Sequence, residues 1–287
     1  MQQPFICHKP RNGHSPTIFN SPHSGRNYSK RFLSQSVLNL DRIRLSEDFY
    51  VDKFLESAVE FGSVLLEACF PRSFIDANRS STELDKKLIY NLEKASTNPR
   101  TLAGLGVVPR VVGSGLDIYQ TKMSLNEVEY RLNNYYFPYH KKLRQVIDQS
   151  VAKFGYAILF DFHSMPHSCI NFSSKRKSFV PQVVLGDCFG ASCEGELSKK
   201  VFNLFCAAGF RVEMNNPFSG GFITRNYGVP RENVHAIQVE IDRSLYMNES
   251  DYTLHSGYSN LKEKLRNVIY ELSNSKKIKG GLLHAAE

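Results

Sequence analysis

The segment Ala157-Ile158-Leu159-Phe160-Asp161-Phe162-His163-Ser164-Met165-Pro166 constrains the fold more than any other. Four consecutive apolar residues suit a strand buried on both faces, as found in the middle of α/β sheets. Pro166 cannot continue the ladder, so the strand must end there. In open α/β sheets ligands bind beyond the carboxyl ends of the strands. His163 is therefore expected where a site forms.

The rest of the 287-residue chain alternates in the same way. Thr17–Phe19 predicts a short strand running into the loop Asn20-Ser21-Pro22-His23-Ser24-Gly25, where Pro and Gly demand a turn. The stretch from Glu47 has near-helical apolar spacing, acids in its first turn and Gly62 at its stop, which predicts a helix. "SVLLEACF" and "SFIDANR" read as successive strands or a hairpin. Residues 124–154 carry the longest helical stripe, which Pro138 is expected to kink or split. "QVVLGD", "RVEMNN" and "HAIQVEIDRSLYM" read as strands. "EGELSKKVFNLFCAAGF" and about 259–273 read as helices. This predicts one α/β domain over 1–287, with a core at about 16–274: a mixed, largely parallel sheet flanked by helices. Residues 1–15 and 275–287 read as frayed ends.

Composition removes several alternatives. No apolar run approaches the ~20 residues needed to cross a bilayer. The N-terminal residues lack a signal peptide's apolar region and cleavage site, so a cytoplasmic protein is expected, with no membrane partner. The six cysteines are scattered without a CxxC pair and read as reduced core or surface thiols. Net charge +8 invites a nucleic-acid reading. However, the densest knots, Lys175-Arg176-Lys177 and Lys276-Lys277-Ile278-Lys279, lack interleaved aromatics, and no nucleic-acid motif is present. A basic surface suited to a small acidic substrate fits better, with no nucleic-acid partner. The glycines of "GLGVVPRVVGSG" match neither GxGxxG nor a Walker A loop.

Two histidines occupy matched settings. His23 in "SPHSG" and His163 in "FHSMP" each follow a strand signal and precede a serine. A single such histidine has many ordinary hydrogen-bonding uses; two together raise the prospect of a metal pair. Catalytic zinc takes three protein ligands, often two His and a carboxylate, and keeps one position open. HExxH is absent, so the ligands would come from separate loops. Glu47, Asp48 and Asp52 are the nearby acids, with Asp48 and Asp52 expected on one helical face. Glu240 alternates with Val239 and Ile241 and so points away from them; a buried carboxylate there must be paired or functional. Arg243 is either its ion-pair partner or a substrate contact. Asn78-Arg79 and Arg225 offer donors that match a carboxylate.

Taken together, "NSPHSG", "EDFYVDKF", "FIDANR", "GLGVVPRV", "YHKKL", "DFHSMP", "NNPFSGGFITRNYG" and "HAIQVEIDRSLYMNE" resemble the N-formylglutamate amidohydrolase (deformylase) family, in the family's order and over about residues 20–250. The resemblance implies a fold like that of zinc carboxypeptidases and aspartoacylase and a zinc-dependent hydrolase of the histidine-degradation type. It assigns His23, Asp48 and His163 to the metal, Glu240 to proton transfer, and Asn78, Arg79 and Arg225 to the substrate. The wider group places its acidic ligand three residues after the first His, where this sequence has Arg26. Asp48 is chosen from the family's own "DFYVD" motif, with Asp52 and Glu47 as alternatives. Hydrolysis of another N-acyl amino acid or a peptide is the neighbouring expectation.

Overall fold

The structure, a computed structural model, describes residues 3–171 and 180–274. Both basic knots, 175–177 and 276–279, lie outside the described residues, as does the C-terminal segment expected to fray. Among the described residues, seven strands form one mixed sheet: β1 (Phe5–His8), β2 (Thr17–Ser21), β3 (Val64–Ala68), β4 (Ala157–Met165), β5 (Val183–Gly186), β6 (Val212–Met214) and β7 (Val234–Asp242). Their order is β1-β3-β2-β4-β7-β5-β6. β4 is parallel to both β2 and β7, β5 is parallel to β6, and β5 is antiparallel to β7.

The described residues divide into two compact units. One takes the chain up to Ile6, Pro22–Asp48 and Glu67–Leu143; the other takes Cys7–Ser21, Phe49–Leu66 and the chain from Arg144.

In the second unit, every residue of β4 and β7 is buried. Period-two alternation then sorts their side chains. Phe19, Ile158, Phe160, Phe162, Ile237, Val239 and Ile241 share one face and one apolar cluster. The helices Val51–Leu55, Gly195–Ala207 and Gly257–Ser273 supply that cluster with Phe54, Leu55, Val201, Phe205, Leu265 and Ile269. Removing one such aromatic, as in Phe160→Ala, typically costs about 3–5 kcal/mol.

In the first unit, the largest fully buried side chain is Arg131. Its guanidinium lies over Phe74, 4.3 Å from the ring centroid. It binds Glu127 Oε1 (2.9 Å), Tyr119 Oη (2.7 Å), Gln35 Oε1 (2.9 Å) and the Phe74 carbonyl (2.9 Å). A buried Arg is tolerable only when paired and bonded in this way.

Three expectations need correction, and the interruption expected near Pro138 takes a specific form. Helix begins only at Val51, because Tyr50 takes a left-handed φ of 63°; Asp48 therefore precedes the helix and does not share a helical face with Asp52. "SFIDANR" is neither strand nor helix; side chains, not a ladder, take several of its carbonyls. Residues 124–154 stay helical through Pro138 by inserting a π turn at Leu132–Tyr136 between Leu125–Arg131 and Phe137–Phe154. Finally, Phe5–His8 is a strand beside β3, too short to announce itself within an expected frayed end.

Candidate active site

The site face of the sheet is the one turned away from the apolar cluster. Register aligns Asn20 with Asp161, Asp161 with Gln238 and His163 with Glu240. Each of these five side chains is buried. Polar groups at such positions must satisfy one another, and they do. Asn20 Nδ2 donates to Asp161 Oδ1 at 2.7 Å, and His163 Nε2 donates to Asp161 Oδ2 at 3.0 Å. The Gly221 backbone N–H donates to Gln238 Oε1 (2.6 Å), which turns the Gln238 amide nitrogen onto Glu240 Oε1 (2.8 Å).

β2 ends at Ser21, so the chain leaves the sheet two residues before His23. His23 Nε2 donates to Asp76 Oδ1 at 2.8 Å. Asp76 also accepts from Arg72 Nε (3.0 Å) and the Asn78 backbone N–H (2.8 Å). Burial alone would raise the pKa of Asp76. Arg72, then His23 and Arg79, overcome that and hold it well below the usual carboxylate range. Asp76 is therefore an acceptor at neutral pH. Gly25 keeps this turn close to the Phe70 carbonyl, where a Cβ would fall 2.2 Å from the oxygen.

Asp48 is stitched to the same turn. Its backbone N–H donates to the His23 carbonyl (3.0 Å), and its own carbonyl accepts from Ser24 Oγ (2.8 Å). Its Oδ2 lies 3.4 Å from His23 Nδ1. His23 and Asp48, both buried, thus bring an imidazole nitrogen and a carboxylate oxygen together in the first unit, while buried His163 stands on β4 in the second. Each imidazole has its Nε2 proton directed at a buried aspartate, which makes Nδ1 the basic nitrogen. This carboxylate-backed arrangement is the usual one for metal-binding histidines. Of the other acids, Glu47 is taken up by Arg44 (2.9 and 3.2 Å) and Tyr28 (3.2 Å), and Asp52 lies in the helix beyond Tyr50.

Arg79 is buried, with Nε fixed on the Leu105 carbonyl and Nη1 on the Asn78 carbonyl, each at 2.9 Å. Nη2 is left as the nitrogen without a hydrogen bond among the described residues. Burial lowers the Arg79 pKa, with Asp76 opposing that shift and Arg72 and Arg100 adding to it. A buried guanidinium with one nitrogen left over can donate a bond to an anion.

Arg243 donates to Ser164 through Nε to Oγ (3.0 Å) and Nη2 to the carbonyl (3.3 Å). Arg225 is exposed and donates to the Gly220 carbonyl (3.1 Å). It lines a cavity of about 390 Å³ with Cys188, Phe189, Ala191, Ser192 and Ser219. Ser192 is bonded to Ala236, four residues before Glu240 on β7.

Asp76, Asp161 and Gln238 join the site beyond the residues that the sequence points to. For Asp161 and Gln238 a signal was present: each stands two residues before a singled-out strand residue and therefore on its face. Asp76 carried no such signal, since it lies in irregular backbone.

Residues 15–247 match the model of the N-formylglutamate amidohydrolase family. The N-formylglutamate deformylase of Pseudomonas aeruginosa is 30% identical over 268 residues, 92% of this chain and 94% of its own. That of Pseudomonas putida is 29% identical over 246 residues, covering 83% of this chain and 84% of its own. A solved structure of N-formylglutamate amidohydrolase from Ralstonia eutropha JMP134 is similar, with TM-score 0.90 and 30% identity, covering 97% of this chain and 99% of that one. With the family pattern spanning the His23 turn, the strand that carries His163 and the strand that carries Glu240, the chain belongs to the N-formylglutamate amidohydrolase family.

Proposed function

We propose that the protein is a zinc-dependent amidohydrolase that cleaves the formamide bond of N-formyl-L-glutamate to formate and L-glutamate, in histidine degradation. The observation that carries the metal part is the pairing of His23 Nδ1 with Asp48 Oδ2 at 3.4 Å, together with an aspartate backing His23 and another backing His163, the third ligand expected from the family resemblance. Two carboxylate-backed imidazoles and one carboxylate, with no thiolate in the group, make a donor set that suits zinc and leaves room for a non-protein ligand. Zinc held there would polarise the formyl carbonyl and lower the pKa of a water.

Glu240, oriented by Gln238, is the proton acceptor for the attacking water and afterwards the donor to the departing amine. Arg79 and Asn78 hold one carboxylate of the substrate, and fixed placement of this kind supplies much of the rate. Arg225 and Arg243 are the further cationic contacts available to a dicarboxylate.

The test is formate release from N-formyl-L-glutamate alongside metal analysis. Chelation should abolish turnover and zinc should restore it. Full turnover by metal-free protein would remove the metal from the mechanism, and acetate release from N-acetylglutamate at comparable kcat/KM would remove the formyl specificity.

A further inference from the structure

The π turn at Leu132–Tyr136 sets which residues of the long helix meet the segment Pro71–Arg79. Pro138 has no N–H for the Asn134 carbonyl and would crowd it, and the turn before it widens, with the Phe137 N–H reaching back to the Leu132 carbonyl. At about 100° per residue, Arg131 and His140 would point to opposite sides of an uninterrupted α-helix. One inserted residue takes back about 100° of that.

As a result, residues on both sides of the π turn grip the same irregular segment. Before it, Arg131 donates to the Phe74 carbonyl. From its last residue, Tyr136 Oη donates to the Arg79 carbonyl at 2.7 Å, and after it His140 Nε2 donates to the Ala77 carbonyl at 3.0 Å. Tyr136 and His140 also pack on each other, with ring centroids 4.2 Å apart. Tyr135 meets Phe74 edge-on at 5.0 Å and Tyr139 meets Phe70 at 5.9 Å. The backbone carrying Asn78 and Arg79 is thus set by helix side chains and not by sheet pairing. π turns inside helices occur frequently at functional sites.

We propose that Tyr136 and His140, presented by this π turn, are positioning residues that aim the Arg79 guanidinium at the substrate carboxylate. This rests on the reading of Arg79 as the carboxylate clamp. Neither residue is assigned contact with the substrate.

The test uses the full chain loaded with zinc. Tyr136→Phe should raise KM for N-formyl-L-glutamate about tenfold, the size of one lost buried hydrogen bond, and leave kcat within twofold. In an Arg79→Ala background the same change should alter KM by less than twofold, because the group being aimed is gone. His140→Ala should show the same split. His140→Gln, whose amide can still donate to the Ala77 carbonyl, should recover most of it.

An unchanged KM in both Tyr136→Phe and His140→Ala overturns the proposal, as does a full additional loss in the Arg79→Ala background. A loss of kcat with KM unchanged also overturns it, since that is the mark of a smaller folded fraction. If Arg79→Ala itself leaves KM unchanged, the clamp reading fails and the positioning role fails with it. If Arg79→Ala raises KM and both helix variants do not, the positioning role alone is wrong.

Discussion

His163 Nε2 and Asp161 Oδ2 lie 3.0 Å apart on the same strand, and Asn20 closes the other oxygen of Asp161 from the neighbouring strand. The aspartate thus fixes both the tautomer and the rotation of the imidazole before any ligand arrives. His23 and Asp76 repeat the relationship at 2.8 Å, this time with Arg72 holding the second oxygen. Loss of such a backing carboxylate typically weakens metal binding 10–100-fold. Asp161→Asn should therefore reduce zinc affinity by roughly that factor in a chelator competition, with an unaltered far-ultraviolet circular dichroism spectrum. Unchanged affinity would mean that the carboxylate serves packing only.

Glu240 sits opposite His163 in the β4–β7 register and is buried, with one oxygen already engaged by Gln238. A carboxylate kept in this setting suits a proton shuttle, and positioned groups of this kind are worth about 10²–10⁴ in rate. Glu240→Gln should lower kcat within that range while zinc content stays at the wild-type level. Wild-type turnover in the zinc-loaded variant would remove Glu240 from the reaction.

The parts of this arrangement legible in the sequence are those governed by local periodicity. β4 and β7 announce themselves as apolar runs, and alternation alone places Glu240 on the face away from Val239 and Ile241. What stayed hidden depends on contacts between distant segments. Asp48 looked helical because apolar spacing continues through it, yet Tyr50 breaks the run. "SFIDANR" reads like a strand because it is short and apolar, but its carbonyls are taken by Arg131, His140 and Tyr136 from 57 or more positions away. No local pattern encodes such partners, so neither the backing role of Asp76 nor the grip on Arg79 could be read in advance.

His235 offers a pH prediction away from the chemistry. It is buried at the start of β7, and its Nδ1 faces the Glu194 backbone N–H at 3.4 Å. Burial holds its pKa below the ordinary value of 6.5, with the Glu194 charge pulling weakly the other way. The folded state therefore binds fewer protons than the unfolded state as pH falls past 6.5, so stability declines with falling pH in that window and is fully present above it. His235→Asn, which keeps an acceptor near the Nδ1 position but cannot titrate, should flatten this part of the profile. Urea midpoints measured from pH 7.5 to 5 will show it; an equally steep decline in the variant would assign the slope to other groups.

Arg131 and Glu127 give a stability prediction with a built-in control. The guanidinium is fully buried and Glu127 nearly so, with Oε1 on Arg131 and Oε2 on Arg31. Arg131→Met keeps the stem's volume but leaves Glu127 and the Phe74 carbonyl without a buried donor. Breaking one side of a buried pair costs about 3–5 kcal/mol. The urea midpoint of Arg131→Met should fall accordingly. Adding Glu127→Gln removes the buried charge, which Arg131→Met leaves paired only with the exposed Arg31, and should recover part of the loss. If the double variant is as unstable as the sum of the two single changes, the carboxylate is not what the arginine neutralises, and stacking on Phe32, Phe74 and Tyr119 must carry the stabilisation instead.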